Sequence, residues 1–97
     1  MGGDVKKSVR VLISGRVQGV WFRQSAADRA NELGLAGWVR NRYAGEVEGL
    51  FEGEENALQK MLEWCERGPP RARVDFVEKS FGEAQGLRPP VTVKESA

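Results

Sequence analysis

Apolar residues near the start of the chain recur at every second position. Val9, Val11 and Ile13 alternate with arginine, leucine and serine, and this period of two predicts a strand with one strongly apolar face that ends at Gly15. After a short loop the period lengthens to spacings of four, four and three, which is typical of one face of a helix. The residues of that face are Phe22, Ala26, Ala30 and Leu33, and Gly34 is expected to cap the helix.

A hairpin is predicted next. Residues 37–41 read as a short strand, residues 42–45 as the connection, and residues from about 46 to 52 as the partner strand, because a glycine in the connection can take a positive φ. In the partner strand Val47 and Phe51 are expected to share the apolar face. The acidic residues of this strand are interpreted as its water-facing side; they are Glu46, Glu48 and Glu52.

A second helix and a last strand complete the pattern. The helix is expected to open at residues 53–55, whose acidic side chains suit a helix N-terminus, and to end at the Gly-Pro-Pro of residues 68–70. Its apolar stripe consists of Leu58, Met61, Leu62 and Cys65. A fourth strand is predicted from about Ala72 to Phe81.

The order of these elements predicts the fold class. Strand-helix-strand-strand-helix-strand is the α+β, ferredoxin-like split βαβ arrangement (β-α-β-β-α-β), an antiparallel sheet with two helices on one face. A chain of 97 residues is too short for two domains, so residues 1–97 are taken as a single domain. Residues of about 1–7 and 86–97 are expected to be loosely ordered tails. Because Pro89-Pro90 cannot donate to a ladder, any fifth strand there would be an edge strand or displaced.

Charge and composition narrow the function. A net charge of +1 argues against general nucleic-acid or membrane-surface binding, yet no acidic residue lies between Asp4 and Asp28, where five basic residues fall. That local positive field would attract a small anion. The chain has no histidine and one cysteine, which excludes Ser-His-Asp and Cys-His catalysis and the usual zinc sites. No apolar run has transmembrane length, so a cytoplasmic location without membrane contact is expected.

Residues 15–23, GRVQGVWFR, join the first strand to the first helix. Such a turn can aim consecutive backbone N–H groups at one point beside a helix N-terminus, and Arg23 can offer two phosphate oxygens a planar cationic fork. A tight turn with a surface arginine fits the spacing equally well. Asn41 has two interpretations as well: it can satisfy the hairpin turn, or its neutral amide can orient a nucleophile if the two strand ends converge.

At these two segments the chain resembles a known family. GRVQGVWFR resembles the first signature of acylphosphatases, commonly G-x-V-Q-G-V-x-F/Y-R, and residues 37–53, GWVRNRYAGEVEGLFEG, resemble the second. The resemblance extends from about Val9 to Phe81. It departs at the end, where members often close with Gly-Phe-x-Ile/Val and this chain has Leu-Arg-Pro-Pro-Val.

The resemblance implies hydrolysis of an acyl phosphate, a small-molecule substrate, to a carboxylate and inorganic phosphate. It implies that Arg23 binds phosphate and that Asn41 orients the water. It also implies a cradle of backbone amides from Arg16, Val17, Gln18, Gly19 and Val20. No metal or cofactor is expected, the product phosphate is an expected inhibitor, and a monomer is expected.

Two alternatives stay open at this stage. The first is an RNA-recognition module, which uses the same topology, although the acidic third strand, EVEGLFE, would repel phosphate. No nucleic-acid partner is therefore expected. The second is a non-catalytic anion-binding or regulatory domain, which hydrolysis of an acyl phosphate would distinguish from an enzyme.

Overall fold

The computed structural model describes residues 6–97. Within them, five strands and two helices follow one another along the chain: β1 (Lys6–Arg16), α1 (Phe22–Glu32), β2 (Ala36–Asn41), β3 (Val47–Glu54), α2 (Glu55–Cys65), β4 (Arg73–Glu83) and β5 (Thr92–Val93). The six elements predicted from the periodicity are confirmed, and β5 is added to them.

The strands form one sheet in the order β4-β1-β3-β2-β5. Each pairing among the first four strands is antiparallel, as the predicted ferredoxin-like α+β fold requires. The short β5 lies beside β2 at the sheet edge and is parallel to it, so the complete sheet is mixed. An edge position suits a strand that follows two prolines, since its outer N–H groups need no partner strand.

The core lies between the sheet and the two helices. The alternating residues Val9, Val11 and Ile13 are buried on the same side of the sheet as the apolar stripes of both helices. Phe22, at the start of α1, meets the indole of Trp64 edge to face, with 5.3 Å between ring centroids. This contact joins the N-terminus of α1 to α2, and the packed core therefore holds the loop that precedes α1.

The interpretation of the acidic side chains of β3 as water-facing is wrong for two of them. Glu48 is 1% exposed and Glu52 is 5% exposed. Three arginines surround Glu48, namely Arg10, Arg40 and Arg42. The carboxylate of Glu52 accepts hydrogen bonds from two backbone N–H groups, Gln85 at 2.5 Å and Leu87 at 2.7 Å. Each buried charge is thus paired or hydrogen-bonded, as burial of a charge requires.

The segment 86–97, for which the sequence predicts loose ordering, makes specific contacts. Asn31 on α1 exchanges two hydrogen bonds with the backbone of Val91, at 2.7 and 3.2 Å, and Val91 itself is buried. Of the predicted N-terminal tail, residues 1–5 lie outside the described residues. Among residues 6–97, neither helix has the length and apolar character needed to cross a membrane.

Candidate active site

A β-bulge lies near the end of β1, where this strand pairs with β4. The register with β4 shifts between Ser14 and Gly15, and Gly15 has φ 130°. A Cβ at this position would overlap the carbonyl oxygen of Arg73 and lie 2.8 Å from the nitrogen of Asp75. Only glycine avoids both the strained conformation and the overlap, so Gly15 allows the close approach of β1 to β4 at the bulge, two residues before the loop begins.

The loop between β1 and α1 is anchored by apolar side chains. Val17 and Val20 are buried at 1% and 6% exposure, whereas Gln18 is exposed and Gly19 has φ 75°. Among residues 6–97, the N–H groups of residues 17–20 donate to no backbone or side-chain acceptor. The loop therefore combines a fixed position with backbone donors that remain available to a ligand.

The N-terminus of α1 adds further donors. Trp21 precedes the helix with φ 66° and ψ 22°, its side chain makes no capping hydrogen bond, and no acidic residue lies in the first turn. The unpaired N–H groups and the partial positive charge of this helix end are therefore not neutralised by a local carboxylate. Together with the loop, this arrangement suits an anion.

The side chain of Gln18 connects the loop to the β2–β3 hairpin. Its Nε2 donates to the carbonyl oxygens of Arg42 at 2.7 Å and Glu46 at 3.0 Å. These two residues stand at either end of the hairpin connection, directly after Asn41 and before Val47. Gln18 therefore links the loop to the residues that follow the end of β2.

The loop, the start of α1 and the end of β2 enclose a cleft of about 400 Å³. Arg23 and Asn41 both line it, although β1 and β2 are separated in the sheet by β3. Among the described residues, neither side chain makes a hydrogen bond or ion pair. The permanently charged guanidinium of Arg23 and the neutral amide of Asn41, both with free hydrogen-bonding groups, thus line the same cleft.

Only two of the other five predicted site residues line the cleft. Val17 and Gly19 line the cleft, whereas Arg16, Gln18 and Val20 do not. Arg16 is the last residue of β1, exposed and opposite Arg73 in the register of β4. A larger groove, about 580 Å³, lies between α1 and the segment after α2, and it contains neither Arg23 nor Asn41.

Four residues of the cleft were not among the predicted site residues. Trp21 and Phe22 lie within the motif of residues 15–23, Gln24 follows Arg23 in the first turn of α1, and Val93 comes from β5. No motif in the sequence indicates Val93, because it reaches the cleft only through the parallel pairing of β5 with β2, where it lies opposite Val39. Within residues 6–97 no three His, Cys, Asp or Glu side chains come together as metal ligands.

Comparison with known proteins shows the family to which the chain belongs. The sequence model of the acylphosphatase family matches residues 9–88. Over 80 residues the chain is 54% identical to an acylphosphatase from Rubrobacter xylanophilus, covering 82% of this chain and 73% of that protein. It is 56% identical over 81 residues to one from Roseiflexus, covering 79% and 87%.

A solved structure shares the fold. The structure of an acylphosphatase from Coxiella burnetii superposes with a TM-score of 0.89 at 34% identity, covering 97% of this chain and all of the other. The fold is thus that of a small α+β hydrolase. The chain belongs to the acylphosphatase family and is an enzyme of that family.

Proposed function

We propose that this protein hydrolyses the carboxyl–phosphate bond of acyl phosphates, releasing a carboxylate and inorganic phosphate. The observation that carries the proposal is the convergence of Arg23, Asn41 and the loop residues Val17 and Gly19 on one cleft, beside a loop whose amides 17–20 have no backbone partner among the described residues. The high identity to named acylphosphatases supports the same activity.

In this proposal the phosphate lies against the loop and the N-terminus of α1. The guanidinium of Arg23 donates two hydrogen bonds to phosphate oxygens, and the N–H groups from Arg16 to Val20 surround the remaining ones. A planar, permanently charged fork and a helix N-terminus both stabilise the charge that spreads over the phosphoryl oxygens in the transition state. Positioning and charge stabilisation are the main requirements of phosphoryl transfer.

Asn41 is assigned to the attacking water. Its amide oxygen accepts one hydrogen bond from the water and holds it in line with the scissile bond. The water oxygen forms the new bond to phosphorus, the bond to the acyl oxygen breaks, and the carboxylate leaves with that electron pair. A carboxylate needs no general acid, and a phosphate oxygen takes the proton of the water.

The proposal includes independence of a metal ion or cofactor. The lining of the cleft contains no carboxylate, and a cation placed there would meet the positive charge of Arg23. The cleft is also open and small, so it contacts the phosphate more than the acyl group, and inorganic phosphate is expected to compete with substrate. A monomer suffices, because Arg23 and Asn41 line the same cleft of one chain.

Hydrolysis of benzoyl phosphate in the presence of a chelator tests the proposal. Removing a donor to the transition-state charge costs about 2.7–4 kcal/mol, roughly 10²–10³ in rate, so Arg23→Ala should lose at least that in kcat/KM. Asn41→Ala should lower kcat while leaving the affinity for inorganic phosphate nearly unchanged.

Two matched controls accompany these variants. Arg29→Ala removes an arginine from the same helix, where it pairs with Glu32, and Asn56→Ala removes an exposed asparagine from α2. Both should retain wild-type activity. An inactive wild type would favour a non-catalytic anion-binding domain, and activity that the chelator abolishes would refute the metal-independent mechanism. An Asn41→Ala variant with normal kcat and weakened phosphate binding would reverse the assignment of Asn41.

A further inference from the structure

The carboxylate of Glu48, on β3, lies buried beside the end of β2 that carries Asn41. Its Oε1 accepts a hydrogen bond from Nε of Arg40 at 2.7 Å and another from Arg42 at 3.1 Å. Its Oε2 forms an ion pair with Arg10 on the neighbouring β1. Glu48 is 1% exposed, while the three arginines keep between 24% and 50% of their side chains exposed.

Two of these arginines are the chain neighbours of Asn41. Side chains alternate along a strand, so Arg40 extends to the face of the sheet opposite that of Asn41. Arg42, directly after β2, reaches the same carboxylate as Arg40. Val39, two residues before Asn41, is buried in the core on that other face, where the cleft also lies. A single carboxylate oxygen thus holds the residues immediately before and after Asn41, from the face opposite the active site.

The same carboxylate also supports the phosphate loop indirectly. The carbonyl oxygen of Arg42, whose side chain Glu48 holds, accepts the hydrogen bond from Gln18. Without the negative charge of Glu48, three guanidinium groups would face one another with no local anion, and their mutual repulsion would favour separation. The end of β2 would be the part free to move, because it leads into the hairpin rather than into the middle of the sheet.

We propose that Glu48 is a positioning residue of the active site, which sets the place of Asn41 through the side chains of Arg40 and Arg42. The inference rests on the proposed function, in which Asn41 orients the attacking water. Glu48 touches neither substrate nor water in this arrangement. Its contribution is to turnover, because a displacement of a catalytic group by about 1 Å can cost on the order of 10²-fold in rate.

A second buried glutamate of β3 provides the matched control. Glu52 lies four residues further along the strand on the same face, roughly 13 Å away at the usual rise of a strand. It is almost as buried, but its partners are the backbone N–H groups of Gln85 and Leu87, remote from the hairpin. Glu52→Gln therefore perturbs a buried carboxylate of the same strand without acting on Asn41.

The test compares kcat with the dissociation constant of inorganic phosphate. Glu48→Gln should lower kcat about 10- to 100-fold with a much smaller effect on phosphate binding, while Glu52→Gln leaves kcat at the wild-type value although its stability falls. In an Asn41→Ala background Glu48→Gln should have little further effect on kcat, because the group it positions is absent. Equal losses of kcat in both backgrounds, or equal effects of the two glutamine variants, would overturn the inference.

A second pair of variants applies if Glu48→Gln does not fold. Arg42→Met and Arg10→Met each remove one cation from Glu48, but only Arg42 adjoins Asn41. We expect Arg42→Met to lower kcat and Arg10→Met to leave it unchanged, and equal effects would refute the positioning role. The proposed function has a separate outcome: it fails if the wild type does not hydrolyse benzoyl phosphate, whereas a fully active Glu48→Gln variant contradicts only this inference.

Discussion

The side chain of Gln18 connects the loop between β1 and α1 to the β2–β3 hairpin, and its replacement by methionine tests that connection. Methionine keeps the length and flexibility of the side chain but cannot donate to the carbonyl oxygens of Arg42 and Glu46. The substitution removes two hydrogen bonds, of 2.7 and 3.0 Å, and leaves the backbone of the loop unchanged.

The structure sets the size of the expected effect. A neutral hydrogen bond contributes about 0.5–1.5 kcal/mol net, which gives about 1–3 kcal/mol for two. The lower part of that range applies, because Gln18 is exposed and both acceptors keep a backbone donor: Gly45 to Arg42 at 2.9 Å and Arg42 to Glu46 at 2.7 Å. We therefore expect a loss of about 1–2 kcal/mol of stability, which corresponds to a factor of roughly 5–30 in the ratio of molecules with the loop held against the hairpin to molecules in which it has separated.

Two measurements check this expectation. Urea unfolding followed by tryptophan fluorescence gives the loss of stability, and competitive inhibition by inorganic phosphate gives the loss of affinity at the loop. Gln59→Met, an exposed position on α2, serves as the control and should change neither quantity. If Gln18→Met bound phosphate as tightly as the wild type, the loop would not depend on the hairpin for its position, and the reasoning would be refuted.

Three further outcomes are expected. Gly15→Ala should destabilise the fold by more than the roughly 1–3 kcal/mol of a strained backbone position, because the added Cβ also overlaps β4. Gly86→Ala is the control, since Gly86 has φ 81° and an added Cβ there meets nothing within 4 Å, so this variant should show the backbone strain alone. Equal losses of stability in urea unfolding would contradict the overlap at Gly15. Burial tends to raise the pKa of Glu48, but the hydrogen bonds from the surrounding arginines outweigh burial and lower this pKa below 4.5. The stability that the ionised Glu48 contributes is therefore present above pH 4.5 and is lost as the pH falls through the folded-state pKa. The stability difference between wild type and Glu48→Gln should therefore shrink in acid, and a difference independent of pH would refute this. Burial, followed by the charge of Glu66, raises the pKa of Cys65 to about 12, so the native thiol should react with a disulfide reagent only as fast as the protein unfolds; rapid labelling would contradict its burial.

The helices and inner strands were predictable because their periodicity reports burial on one side. The stripe of α2 and the alternation of β1 are both buried as their spacing predicts. The acidic residues of β3 show the limit of this logic. Their alternation with apolar residues indicated water, but burial depends on what covers the second face, and that is decided by arginines from β1 and β2 and by the backbone after β4.

The kind of ligand that suits the candidate site was predictable from the sequence, but the full set of residues that line the cleft was not. Arg23 stands beside a glycine-containing turn and a helix N-terminus, which are local features, so the sequence alone indicated an anion site there. Val93 lines the same cleft with no local signal, since it reaches the cleft only because the two-residue β5 pairs with β2 across more than fifty positions of the chain.

The amino-acid sequence by itself determined the order of the first six elements, the glycine that permits the bulge at Gly15 and the residue types available for chemistry. These depend on neighbours in the chain, through backbone sterics and side-chain periodicity. Only the tertiary structure decided that Arg23 and Asn41 line one cleft. It also decided that Glu48 binds the side chains of Arg40 and Arg42, the residues on either side of Asn41. Such contacts join strands that are distant in sequence, and their register is set by packing of the whole sheet rather than by any local pattern.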